Sequence, residues 1–123
     1  MDVDDTNSIE VAVGELKNKL SKVDILFNNA GILLKEYDVD AVDTPEISIL
    51  KTFNTNTLGV LRVCRSVIPL MKNGGRIINV SSGMGQLEDM ESGSIAYRLS
   101  KTALNALSKV MSNELSSNNI KVN

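Results

Sequence analysis

A tyrosine and a lysine stand four residues apart in Ala96-Tyr97-Arg98-Leu99-Ser100-Lys101. On a helix, residues at i and i+4 lie one above the other on the same face, so a phenol and an ammonium meet there. A phenol ordinarily titrates near ~10, and an ammonium within about 4–6 Å favours the phenolate. A poor proton donor thereby becomes a usable general acid or base near neutral pH. The same spacing is also what a plain helix surface supplies, so the pair acquires meaning only if other residues converge on it.

Absences narrow the chemistry. The chain has no histidine, which excludes imidazole acid–base catalysis, Ser-His hydrolysis and His-ligated metals. Its one cysteine, Cys64, sits in a helical apolar pattern and reads as a small buried hydrophobe, and an internal disulfide is impossible. A net charge of −2 with no Lys/Arg run argues against a nucleic-acid surface or an anionic-membrane patch. The hydrophobic share of 42% and charged share of 23% fit a globular chain rather than a disordered one. No apolar run reaches membrane-spanning length, and the acidic start Met1-Asp2-Val3-Asp4-Asp5 lacks the features of a signal peptide. The expectation is a cytoplasmic protein without a membrane partner.

The elements that would position the pair alternate. Residues 7–21 carry Ile9, Val13, Leu16 and Leu20 on one stripe, with Asn7 and Glu10 at capping-box spacing, which predicts a helix. Asp24 to Asn28 reads as a buried strand, followed by a loop to Asp43. Thr44-Pro45-Glu46 then reads as a cap, a first-turn proline and an acid at the positive end of the dipole. The helix it opens runs through Ile47, Leu50, Phe53, Leu58, Leu61 and Cys64 to about 71, where Pro69 and the turn Asn73-Gly74-Gly75 stop it. Residues 76–82 form a second strand, 83–93 a loop, 94–115 a third helix and 120–122 the start of a third strand. Alternating strands and helices make an α/β doubly wound parallel sheet, in which ligands bind at the carboxyl ends of strands. The small polar clusters Asn28-Asn29-Ala30-Gly31 and Ser81-Ser82-Gly83 fall there.

Each cluster has a plain reading and a chemical one. Asn29-Ala30-Gly31 is either an ordinary turn or a corner where backbone approaches a flat ring or ribose closely. Asn56 is an unfavourable helix residue, either merely exposed or given a task for its amide. Gly83-Met84-Gly85 mimics the opening of a G-x-G-x-x-G fingerprint, but Glu88 stands where the third glycine belongs and would repel a pyrophosphate. That loop reads instead as a wall of the site, with Met84 and Leu87 facing a substrate.

Taken in order, Asn28-Asn29-Ala30-Gly31 after a strand, Asn56-Thr57-Leu58-Gly59 in a helix, Val80-Ser81-Ser82 after a strand and Tyr97-x-x-x-Lys101 resemble the short-chain dehydrogenase/reductase family. The resemblance extends from Asp2 to Asn123. It implies hydride transfer between NAD or NADP and a small-molecule carbonyl or secondary alcohol, with no metal. Tyr97 would exchange the proton, Lys101 would assist it and hold the ribose, Ser82 would bind the reacting oxygen, and Asn56 would order a water in a proton relay. Strand alternation sends Ser81 and Ser82 to opposite faces, and the family register favours Ser82. Asp2, Val3, Asn29, Ala30 and Gly31, with Tyr97 and Lys101, would line the cofactor, and Asn28 would brace the central strands.

Members of that family are about twice as long as this chain. The resemblance therefore implies a single partial Rossmann-like domain over 1–123: strands four to six with their helices, without strands one and two and the C-terminal lid. Right-handed crossovers would place all three helices on one face and leave the other bare and apolar. Apolar residues of the 94–115 helix cover roughly 200° of its circumference, more than one sheet-facing stripe needs. The surplus meets either a second copy, giving a homo-oligomer through helices 46–71 and 94–115, or the 46–71 helix alone. The alternative to an enzyme is a truncated, catalytically silent subunit or interaction module.

Overall fold

The computed structural model describes residues 1–35, 39–72 and 74–123. Part of the predicted loop to Asp43 and Asn73 of the predicted turn lie outside the described residues. Strands β1 (Ile25–Asn28), β2 (Gly75–Asn79) and β3 (Ile120–Val122) form a parallel sheet in that order. Leu26 lies opposite Ile77, Asn28 opposite Asn79, and Ile77 opposite Val122. The second strand is shorter than the predicted 76–82, so both serines stand just beyond its carboxyl end.

Side chains alternate across this sheet. Ile77, Ile120 and Val122 are buried on one side, under Ile9 and Val13 of α1 (Thr6–Lys19) and Leu104 and Met111 of α4 (Ile95–Glu114). On the other side Ile25 and Phe27 are 58% and 61% exposed. The helices thus share one face, and the other is open and apolar. No helix among the described residues is long and apolar enough to cross a membrane.

Two helix starts differ from expectation. Asp5, not Asn7, caps α1: its carboxylate accepts from the Asn7 N–H at 2.9 Å, and Asn7 is already inside the helix. Asp and Asn cap about equally well, so spacing to Glu10 alone misplaced the start by two residues. Thr44 does not cap the next helix, because its hydroxyl turns back to donate to the Asp40 carbonyl at 3.1 Å. Pro45 takes the cap position instead, without a side-chain bond, and α2 runs over Glu46–Phe53.

The predicted continuous helix to residue 71 is interrupted. A π-helical segment, Asn54–Gly59, separates α2 from α3 (Val60–Val67), and a single 3-10 turn, Ile68–Leu70, ends the run at Pro69. Asn54-Thr55-Asn56-Thr57 is a run of weak helix formers whose side chains compete for backbone partners. Here those side chains find partners elsewhere: the Thr55 hydroxyl donates to Asp4 at 2.7 Å. Gly59 lets the chain pass close to Val3, whose Cγ2 would lie 2.9 Å from any Cβ at that position.

A polar line crosses the core toward α4. The Asn28 amide donates to Asn79 Oδ1 at 2.8 Å, Asn79 donates to Ser108 Oγ at 2.8 Å, and Ser108 donates to the Leu104 carbonyl at 2.8 Å. Asn28 also donates to Cys64 Sγ at 3.4 Å. Burial pushes the Cys64 thiol up to about 11, with the Asn28 bond pulling weakly the other way. Asn28 is a brace between strands and Cys64 an inert buried thiol.

Candidate active site

The π-helical segment delivers Asn56 into the interior, where it is fully buried. A single extra residue in a helical turn re-aims side chains, and such bulges concentrate at functional sites. Asn56 Oδ1 accepts from the Ile32 N–H at 2.7 Å, and its Nδ2 donates to the Ile32 carbonyl at 2.9 Å and to Ser100 Oγ at 2.9 Å. Ser100 Oγ in turn donates to the Tyr97 carbonyl at 2.8 Å. Next to it, Thr57 Oγ1 donates to the Ser100 carbonyl at 2.9 Å. One amide therefore fixes the chain just after Asn29-Ala30-Gly31 and, through Ser100, the first turns of α4. The exposed-helix alternative for Asn56 is excluded.

On α4, Tyr97 is half-buried and Lys101 only 4% exposed. Lys101 Nζ lies 5.7 Å from the centre of the Tyr97 ring, at the outer range of a cation–π contact. It donates to the Val80 carbonyl at 2.8 Å. Among the described residues the ion pairs are Lys22–Asp24 and Arg98–Glu91, so no carboxylate neutralises Lys101. Burial lowers its pKa from the ordinary 10.5, because a low-dielectric surrounding disfavours the charged form. A Cβ on Gly31 would stand 3.7 Å from that ammonium and 3.2 Å from Asn56 Oδ1. The small-residue corner, the lysine and the asparagine are therefore neighbours.

Ser81 and Ser82, both beyond the end of β2, take different partners. Ser81 donates to Asn105 Oδ1 at 2.6 Å and is occupied on α4. Ser82 caps a 3-10 turn, Gly83–Gly85, by accepting from the Met84 N–H at 3.2 Å, and its own hydrogen is uncommitted among the described residues. The Gly85 carbonyl accepts from Thr102 Oγ1 at 3.1 Å and from Asn105 Nδ2 at 3.2 Å. A Cβ at Gly85 would sit 2.8 Å from the Lys101 backbone carbon, so only glycine lets the turn rest on α4 there. Gly85 thus clips the serine turn to the lysine helix. Of the loop's expected contact residues, Met84 is half-buried and Leu87 is 75% exposed.

Val3 lies beside this corner, whereas Asp2 is held within its own turn, and neither joins the corner's hydrogen bonds. Asp2 accepts from the Asp4 N–H at 2.9 Å, and the Val3 carbonyl accepts from Arg62 Nη1 at 3.3 Å. Val3, Phe27, Asn29, Ala30 and Thr55 line one concavity at the end of β1. Sequence reasoning missed Ser100, Thr57, Gly85 and Asn105, which hold the site together. Ser100 carried a readable signal, being a small polar residue between Tyr97 and Lys101 on a face that must be buried if they are.

The short chain dehydrogenase family model matches residues 1–123. The uncharacterized oxidoreductase YxbG of Bacillus subtilis is 33% identical over 129 aligned positions, spanning 100% of this chain and 44% of that protein. Among solved structures, the carbonyl reductase Sniffer of D. melanogaster superposes with a TM-score of 0.89 at 28% identity, over 99% of this chain and 55% of that one. An NADPH-bound carbonyl reductase from chicken fatty liver gives 0.90 at 27% identity, over 98% and 52% respectively. The chain thus spans about half the length of these relatives. A match that runs from the first residue to the last, over a sheet and helices of the same arrangement, makes this chain a member of the short-chain dehydrogenase family.

Proposed function

We propose that the chain carries the acid–base centre of an NAD(P)-dependent oxidoreductase that interconverts a carbonyl and a secondary alcohol. The observation that carries this reading is Lys101: buried, unpaired with any described carboxylate, and held by Val80 beside both the Tyr97 ring and Gly31. A desolvated ammonium is costly unless it serves charge that develops nearby.

Glycine at position 31, where a Cβ would crowd Lys101 and Asn56, leaves open ground at the end of β1, as a flat ring and ribose require. Asn29, Ala30, Gly31, Tyr97 and Lys101 would hold the nicotinamide end of NAD or NADP, with Asp2 and Val3 toward its other end. When bound, a nicotinamide supplies or accepts the hydride at the substrate carbon. In the reducing direction Tyr97 Oη gives its proton to the carbonyl oxygen, and Lys101 offsets the negative charge left on the phenolate. The Ser82 hydroxyl donates to the same oxygen as alkoxide character grows. Asn56 keeps Ser100, and through it the Tyr97 turn, in register, and orders the water that returns a proton to the site. The relatives named as carbonyl reductases support a small carbonyl or alcohol as substrate.

A second copy is the proposed partner. Ile47 and Leu50 of α2 are 69% and 63% exposed, and Leu99 and Val110 of α4 are 44% and 51% exposed, on helices that pack together. Covering the exposed part of these side chains removes apolar surface from water and so favours association.

Substituting Tyr97→Phe tests the reading. Turnover of reduced nicotinamide with a carbonyl substrate is expected to vanish while cofactor affinity stays close to the parent's. Retention of most activity refutes the assignment, and loss of both activity and cofactor binding assigns Tyr97 to binding alone.

A further inference from the structure

Beside Tyr97 stands a buried guanidinium with no part in the chemistry described above. Arg98 is 5% exposed and follows Tyr97 on α4, three residues before Lys101 and so on the neighbouring strip of the same helix turn. Its Nε donates to the Gly93 carbonyl at 3.0 Å, and its Nη2 donates to the Ser92 carbonyl at 3.3 Å and reaches Glu91 Oε2 at 3.5 Å. Its Nη1 lies 3.9 Å from Met90 Sδ. One planar fork thus holds four consecutive residues, 90–93, of the loop that joins Ser82 to Tyr97.

That loop has little else to hold it. Among the described residues, every hydrogen bond that ties residues 87–93 to the rest of the chain comes from Arg98. Leu87 is 75% exposed and Met90 37%, so apolar burial does not anchor the loop either. At its far end Gly93 and Ser94 both adopt left-handed backbone, with φ of 76° and 50°. Serine takes that conformation only where its surroundings impose it. The Ser94 carbonyl then accepts the first helical bond of α4, from the Arg98 N–H at 3.0 Å. The same residue therefore fixes the loop by its side chain and the helix start by its backbone.

A charge is an expensive tie for a loop when apolar packing would serve. The partner carboxylate is 85% exposed, so the ion pair itself contributes little, and the ordering comes from the carbonyl bonds. What the fork supplies is direction: one rigid, planar guanidinium donates to two backbone carbonyls and reaches a carboxylate, a donor arrangement lysine cannot reproduce.

We propose that Arg98 is a positioning residue that pins the 87–93 loop as the substrate-side wall of the site and so sets affinity for the carbonyl substrate rather than the rate of the proton step. This inference rests on the functional reading above. Arg98→Ala is expected to raise KM for the carbonyl substrate about tenfold, with kcat and the NADPH Kd within about twofold of the parent. Arg98→Lys keeps the raised KM. Millimolar ethylguanidinium, the portion of the side chain that the alanine variant lacks, restores the parent KM in Arg98→Ala. An unchanged KM, an equal fall in kcat at constant KM, or failure of ethylguanidinium to rescue overturns the proposal.

Amide hydrogen exchange on the same proteins separates this inference from the reading beneath it. Arg98→Ala is expected to exchange residues 90–94 at least about tenfold faster, with the amides of Ile77 and Leu104 unchanged and with slowing by ethylguanidinium. That local signature in a chain without turnover would refute the oxidoreductase reading while leaving Arg98 as the pin of the loop. Uniform acceleration, or none, overturns the role of Arg98 whatever the activity.

Discussion

Gly85→Ala puts a single methyl group against the backbone that carries Lys101. The added Cβ would lie 2.8 Å from the Lys101 carbonyl carbon, 2.9 Å from its Cβ and 3.0 Å from its oxygen. Favourable carbon contacts begin near ~3.5 Å, so about 0.7 Å of movement is required. α4 cannot supply it easily, because Asn56 and Thr57 hold its Ser100 turn. The Ser82–Gly85 turn must move instead, straining the bonds from Thr102 and Asn105 to the Gly85 carbonyl. Overpacking of this kind costs about 1–3 kcal/mol, and weakening two hydrogen bonds adds about 1 kcal/mol. The chain also contains its own control: a Cβ at Gly83 would meet nothing within 4 Å. Urea denaturation should show Gly85→Ala lower than the parent by about 2–4 kcal/mol, a midpoint shift of about 1–2 M, with Gly83→Ala nearly unchanged. Equal midpoints for the two variants would refute the claim that the serine turn rests directly on the lysine helix.

Further outcomes follow from groups buried around the site. Cys64 has a folded-state pKa of about 11 against an ordinary 9.0, so the folded state favours the neutral thiol. Its contribution to stability is fully present below pH 9.0 and is lost as pH rises through about 11, so denaturation midpoints of the parent should fall relative to Cys64→Ala over that window. The shift at Lys101 is downward, caused by desolvation, so folding is penalised while the lysine is protonated and relieved as pH rises toward its ordinary 10.5. Lys101→Met should therefore hold or raise the denaturation midpoint at neutral pH while turnover falls at least about a hundredfold. A clear drop in stability would show that the lysine serves the fold. Leu50→Glu with Val110→Glu should shift the chain to a smaller species by light scattering, whereas an unchanged mass would place any self-association elsewhere.

The parts legible in the sequence were those set by local chemistry. Alternating apolar runs gave the strands, and a proline with two glycines gave the end of the second helical run. The corner at Asn29-Ala30-Gly31 and the Tyr97–Lys101 pair were readable because spacing along one element places them. The π-helical turn was not, since the apolar pattern of Phe53, Val60 and Cys64 continues on both sides of it and only the tertiary partners of Thr55, Asn56 and Thr57 reveal it. Cap positions failed for a related reason: Asp5 and Asn7 are equivalent by type, and the hydroxyl of Thr44 had a nearer acceptor in Asp40. Ser100, Arg98 and Asn105 act across elements, joining α4 to loops that no periodicity connects to it. The exposed face carrying Ile25 and Phe27 was foreseeable from connectivity, because crossovers of one hand put every helix on the same side.

Hydride and proton are proposed to reach one carbonyl group here, with Tyr97 as the source of the proton. The most direct test is to supply reduced nicotinamide deuterated at the transferable position together with a small ketone, and to locate the label in the product by mass spectrometry. The parent chain is expected to yield an alcohol with deuterium on its carbinol carbon, and Tyr97→Phe none. Absence of labelled alcohol from the parent, or equal labelling by both proteins, would contradict this proposal.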